Sequence, residues 1–187
     1  PKEIAAGSQD QGARSVLRDV ASDLTTPPIP PAFELDDIVL RVAECLSASP
    51  PRSVLLVGPS GTGKTAAVRE LVRQRQLLGL GGRPFWSTSG ARIVAGMCGF
   101  GAWQQRCQAL CQEATKTRSV LHLGNLLELV QVGQYIGNDQ GVGHFMRPHI
   151  ARGEFSTVAE CLPEQLPILD RVAPNVLAAF STIEVPE

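Results

Sequence analysis

Residues 53–65 read Ser-Val-Leu-Leu-Val-Gly-Pro-Ser-Gly-Thr-Gly-Lys-Thr. Ser53 to Val57 is a short, almost wholly apolar run ending at a glycine, the pattern of a strand buried on both faces of a parallel sheet. Gly58, Pro59, Ser60, Gly61, Thr62, Gly63, Lys64 and Thr65 then satisfy G-x-x-x-x-G-K-[ST] in full. From Thr65 to Leu78 the spacing of Ala67, Val68, Leu71 and Val72 predicts an amphipathic helix. A strand, a glycine-rich loop and a helix, in that order, make up the context in which this pattern binds phosphate. Glycines let the backbone curl so that successive N–H groups point inward at phosphate oxygens. The helix adds its positive N-terminus. Lys64 is placed to reach the β- and γ-phosphates, and the Thr65 hydroxyl to ligate Mg²⁺. The competing reading is a glycine turn that serves only the fold, and the correct flanks weigh against it.

Upstream of this unit, Arg14 to Leu24 suits a short helix with Val16, Leu17 and Val20 inward. The prolines at 27, 28, 30 and 31 break it. A helix is predicted over Asp36 to Leu46, closed by Pro50 and Pro51. Further strands are predicted at Phe85 to Ser87, Ser119 to Leu123, Phe155 to Ala159 and Thr182 to Val185. Helices are expected at Trp103 to Glu113, Leu126 to Val132 and Phe145 to Arg152, the last despite Pro148. Alternation of strands with helices predicts an α/β domain, a P-loop NTPase three-layer sandwich with a five-stranded, mostly parallel sheet. Residues 1–30 are expected to be an N-terminal tail or linker with a short helix, and residues 31–187 the P-loop domain.

Composition narrows the functional classes. Seventeen basic and 18 acidic side chains in 187 residues give a net charge of −1, which argues against a nucleic-acid or membrane-surface binder. The apolar runs are too short to span a bilayer. Five cysteines without a C-x-x-C pair, and no secretory signal, fit a reduced, cytoplasmic setting. Cys107 and Cys111 share a helical face and suit core packing better than metal binding. The chain starts at Pro1 without an initiator Met, as expected of a piece of a longer protein.

A hydrolytic P-loop domain also needs a downstream strand ending in acid, where one carboxylate holds Mg²⁺ and a second polarises water. The best-placed strand, Val120-Leu121-His122-Leu123, runs instead into Gly124-Asn125. Glycine has no side chain, and an amide is a poor proton acceptor. Glu128 and Glu160 are the nearest substitutes, and each reads more simply as a solvated surface acid. His122 reads as a satisfied core or interface histidine.

Three further stretches resemble the first ATPase domain of ClpA/ClpB-type AAA+ unfoldases. Arg92 to Gly96 with Gly99 to Arg106 is similar to that family's L-x-A-G-x-x-Y-R-G-x-F-E-x-R segment. Val120 to Val130 falls where the family carries L-F-I-D-E-x-H-x-L-V, and Met146 to Glu154 resembles L-K-P-x-L-A-R-G-E. The resemblance covers residues 30–187 and implies the AAA+ large subdomain, with the C-terminal lid absent. It implies ATP or ADP with weakly held Mg²⁺ as ligand, and an oligomer or another domain of the same chain as partner.

The departures fall on functional positions. Gly124 and Asn125 stand at the degenerate Walker B pair, and Gly99, beside Phe100, stands at the pore-loop aromatic. Cys161 and Leu162 occupy the sensor threonines, and Ala178 and Ala179 the arginines that reach a neighbour's ATP. Three functions remain open on these residues. They are a nucleotide-binding pseudo-ATPase, an active Clp-like ATPase completed in trans, and a relict scaffold.

Overall fold

The computed structural model describes residues 15–97, 101–135 and 139–186. In chain order the elements are α1 (Val16–Val20), β1 (Ser22–Asp23), α2 (Asp36–Ser47), β2 (Ser53–Val57), α3 (Lys64–Gln74) and β3 (Phe85–Ser87). They continue with α4 (Gly90–Val94), α5 (Ala102–Thr117), β4 (Val120–Asn125), α6 (Leu126–Gln131) and α7 (Val142–Ala151). The last are β5 (Ser156–Cys161), α8 (Leu166–Val172), α9 (Pro174–Leu177) and β6 (Phe180–Glu184), with a 3₁₀ turn at Pro163–Gln165 before α8.

One six-stranded sheet runs in the order β1-β3-β4-β5-β2-β6. All neighbours from β3 to β6 pair parallel, and β1 pairs antiparallel with β3. The five predicted strands are therefore present, and the sheet has a sixth. The strand β1 holds only two exposed residues, too few for an alternating pattern to register in the sequence. The helix expected within residues 14–24 is α1. It packs on the domain core, with Leu17 and Val20 buried and the Leu17 amide donating to Glu113 on α5 at 3.1 Å.

Side chains of β2 alternate between two cores, one on each face of the sheet. Leu55 and Val57 join Leu110, Leu121, Leu126 and Met146. Val54 and Leu56 join Val39, Leu46, Leu71 and Ile183 on the other face. Burial on both sides explains why β2 reads as an unbroken apolar run rather than an alternating one. Because the strands are parallel, their C-terminal ends lie along one edge, and the loops leaving β2, β4 and β5 meet there. In doubly wound sheets that edge carries ligands.

The strand β4 is irregular at its end. Its register against β5 pairs His122 with Val158 but Asn125 with Glu160, so one extra residue lies on β4 in between. Gly124 absorbs it with φ 66°, in the left-handed region.

Candidate functional site

The loop between β2 and α3 is built for close approach. Gly61 and Gly63 take φ of 90° and 85°, and Gly63 is the N-cap of α3. A Cβ added to Gly58 would lie 2.4 Å from the Val185 carbonyl oxygen, so this position accepts only glycine unless β6 shifts. Lys64 is buried at 8% exposure, and its ammonium donates to the carbonyls of Gly58 and Pro59, each at 2.6 Å. A buried cation requires such partners. The Thr62 hydroxyl donates to the Pro59 carbonyl at 3.1 Å and closes the loop on itself.

Two adjoining cavities flank this loop. The smaller, about 440 Å³, is lined by Ser60, Lys64, Thr65, Asn125, Glu160 and Leu162 among others. The larger, about 1030 Å³, lies between the loop, the Ala32–Leu35 segment, Ile38 on α2, Leu166 and Val185. The smaller is bordered by the loop's ammonium and hydroxyls, and the larger is the more apolar of the two, with Phe33, Leu35, Ile38 and Leu166 in its wall. Both touch Gly61, Gly63 and Ala66. The segment at the mouth of the larger cavity is fixed from beneath. The Ala32 amide donates to the buried Glu70 of α3 at 3.0 Å, and the same carboxylate accepts from Arg73 Nε at 2.9 Å. The hydrogen bond from Arg73 outweighs the upward push of burial, and with Gln74 and the Ala32 amide holds the Glu70 pKa at about 2.

Gly124 and Asn125 lie at the end of β4, and Asn125 lines the smaller cavity. Neither offers a carboxylate, and Asn125 is committed elsewhere. Its Oδ1 accepts the Glu128 amide at 3.0 Å as the N-cap of α6, and its Nδ2 donates to Gln165 at 2.8 Å. Glu128 points away to α4, where it accepts the Ala91 amide at 2.8 Å. Its sequence reading as a surface acid needs only that capping role added.

Glu160 differs from its reading as a solvated surface acid. Its side chain is only 15% exposed and lines the smaller cavity. Both carboxylate oxygens lie within hydrogen-bond reach of the Thr65 hydroxyl, at 2.8 and 3.0 Å. His122 Nε2 lies 2.8 Å from Oε1, and His122 Nδ1 lies 3.1 Å from the Ser87 hydroxyl. A carboxylate cannot donate, so Nε2 carries the hydrogen of that contact, and Nδ1 meets the Ser87 hydroxyl on the other side of the ring. Burial pushes the Glu160 carboxyl up. Hydrogen bonds from His122 and Thr65, with the charges of His122 and Lys64, outweigh that and hold it below the ordinary carboxylate range. Sequence separation concealed this arrangement, because Thr65 and Glu160 are 95 residues apart and meet only through the β2–β5 pairing.

Cys161 lies at the cavity wall with its thiol pushed up to about 11 by burial and the nearby Glu164, against the pull of Lys64. A thiol so held is not a nucleophile near neutral pH. Cys107 and Cys111 are fully buried in the core, and the Cys111 thiol beside it, with burial, pushes the Cys107 thiol far up. Among the described residues no group of three or more His, Cys, Asp or Glu is arranged to hold a metal. Gly99 and Phe100 lie outside the described residues. No helix of the described residues is long and apolar enough to cross a membrane.

A glycine-rich loop between the second strand and its helix, in a mostly parallel sheet of this order, defines a P-loop domain of the α/β class. The profile of the ATPase family associated with various cellular activities (AAA) matches residues 54–146. The chaperone protein ClpB of Bacillus cereus is 28% identical over 180 residues, covering 89% of this chain and 21% of its own length. A closed-state reconstruction of Hsp104 with ATPγS and FITC casein superposes with a TM-score of 0.79 at 20% identity, over 92% of this chain and 31% of that one. The Saccharomyces cerevisiae Hsp104–ADP complex gives 0.74 at 21% identity, over 91% of this chain and 30% of that one. The chain belongs to the AAA family and is a ClpA/ClpB-type AAA+ module. It spans 21% of the length of the ClpB it matches.

Proposed function

We propose that this module binds ATP or ADP through Gly58, Pro59, Ser60, Gly61, Thr62, Gly63, Lys64 and Thr65, and that occupancy, rather than turnover, is its output. The observation that carries the reading is the pair of adjoining cavities astride the loop, one beside Lys64 and Thr65 and a larger, more apolar one beside Ile38 and Leu166. A nucleotide has the same division, with a charged phosphate tail and a flat apolar base. The loop's inward amides and Lys64 would hold the phosphates, and Thr65 offers a hard oxygen ligand suited to Mg²⁺. The metal, when bound, neutralises phosphate charge and fixes the tail.

Slow hydrolysis follows from the end of β4. The family's water-polarising acid falls on Asn125, whose amide caps α6 and binds Gln165. Ala178 and Ala179, at the positions of the family's arginines, cannot stabilise charge on a neighbour's phosphate. An active ATPase completed in trans is the second reading, and Glu160 in the smaller cavity is the observation that favours it. The larger protein would use occupancy to set the shape or assembly of an oligomer, or of a second domain in the same chain. The free thiols of Cys45, Cys107, Cys111 and Cys161 suit a reducing, cytoplasmic compartment.

Isothermal titration with Mg-ATP, on this chain and on Lys64→Ala, tests the reading. Micromolar binding by the parent chain and its loss in the variant are expected. Absence of binding in both would leave the loop as a relict of the fold.

A further inference from the structure

The smaller cavity holds a carboxylate that the family pattern does not put there. Glu160 enters from β5, one strand over from the empty end of β4, and through the bulge at Gly124 it lies level with Asn125. We infer that Glu160 replaces the missing β4 acid as the carboxylate that holds the divalent cation of a bound Mg-nucleotide. Thr65 shares the cation, and His122 acts as the positioning residue behind Glu160. This rests on the nucleotide reading above.

Three features support the assignment. The first is place. The Thr65 hydroxyl, the loop's metal ligand by its position after Lys64, is within 3.0 Å of both Glu160 oxygens, so one cation can touch both side chains. The second is donor chemistry. A carboxylate and a hydroxyl are the hard oxygen donors that Mg²⁺ takes, with phosphate oxygens and water completing the shell. Such a site needs no second protein carboxylate, in keeping with the lack of a self-sufficient metal cluster among the described residues. The third is support. His122 is buried at 8% exposure, bonds Glu160 with one ring nitrogen and meets the Ser87 hydroxyl with the other. That chain fixes the carboxylate's orientation through Oε1, while the contact of Oε2 is with the Thr65 hydroxyl, the other ligand of the inferred site. Metal-holding carboxylates are commonly anchored in this way.

Charge requires the same conclusion. A carboxylate facing the cavity beside Lys64 repels a polyphosphate tail unless a cation lies between them. The structure therefore implies a nucleotide site that is strongly metal-dependent, not one that binds bare nucleotide.

The test is ADP binding with Mg²⁺ and with EDTA, on the parent chain, Glu160→Gln, Glu160→Ala and His122→Phe, each first checked for a cooperative thermal transition. Mn²⁺ replaces Mg²⁺ in a parallel series read by electron paramagnetic resonance. The parent chain is expected to bind ADP at least about tenfold more tightly with Mg²⁺ than without it. In Glu160→Gln and Glu160→Ala that gain should collapse because metal-free ADP binds better and Mg-ADP worse, and the bound-Mn²⁺ spectrum should be lost. His122→Phe should keep the metal-free affinity and lose part of the gain. Full retention of the Mg²⁺ gain in both Glu160 variants would overturn the assignment. So would a parent chain that binds ADP equally with and without metal, which would make Glu160 a simple repulsive group. Failure of the parent chain to bind ADP under either condition would instead overturn the nucleotide reading itself. If Glu160→Gln does not fold, the Glu160→Ala series and the parent chain's own metal dependence still decide.

Discussion

At Gly124 a single backbone angle governs the chemistry available at the end of β4. With φ 66° the residue sits where an L side chain strains the chain, and it takes up the extra residue of the bulge. Placing an acid there by Gly124→Asp is expected to cost about 1–2 kcal/mol of stability, visible as a lower urea midpoint with an unchanged slope. It should not rescue metal-dependent ADP binding in a Glu160→Gln background, because the bulge directs this position differently from a regular strand end. Glu70 provides a second test at the same scale. Its carboxyl is held at about 2, against an ordinary 4.5, chiefly by the Arg73 hydrogen bond. A lowered folded-state pKa gives stability that is complete above the unfolded value and disappears as pH falls through the folded one. Glu70 should therefore contribute most of its share above pH 5, on the order of 2 kcal/mol once screening of the half-exposed Arg73 is allowed for. Acid unfolding between about pH 4.5 and 2 should be less steep in Glu70→Gln than in the parent chain.

Among the elements, those with long, strongly periodic patterns were legible in the sequence. The helix α2 and the unit of β2, loop and α3 follow from spacing alone, since β2 is buried on both faces and α3 on one. The helix α7 forms as expected although Pro148 lies inside it. What the sequence did not reveal is short or non-local. The two-residue β1 and the five-residue α4 carry too few positions for a period, and the bulge in β4 depends on its partner strand. Glu160 could be read only as a strand-end acid, because its neighbours Thr65 and His122 belong to two other strand-loop units. For α1 the inward face of Val16, Leu17 and Val20 was legible but its docking site was not: Leu17 is 1% exposed and packs in the cluster with Leu110 and Ala114. Leu17→Ala is expected to destabilise the domain by roughly 2–4 kcal/mol in chemical denaturation. A loss below about 0.5 kcal/mol, the level of an ordinary surface change, would instead mark α1 as a dispensable tail.

For the whole molecule, scaffold and catalytic features separate. The mostly parallel sheet, the glycine loop, the buried Lys64 and the two cavities beside it together form a P-loop scaffold. On the proposed reading, Gly124, Asn125, Ala178 and Ala179 stand where the resembled family carries its β4 acids and its arginines. A domain of this kind gains stability from its ligand in proportion to occupancy, about 3–4 kcal/mol for micromolar affinity at cellular ATP. On the proposed function the site holds ATP without consuming it. The most direct measurement is a single-turnover experiment: excess protein is mixed with radiolabelled Mg-ATP, the complex is separated by rapid filtration over hours, and the bound nucleotide is identified. Retained, intact ATP in the parent chain, with none retained by Lys64→Ala, is the expected result. Bound ADP with up to one phosphate released per ATP bound would mean that the site consumes its ligand, and no nucleotide retained by the parent chain would mean that it holds none.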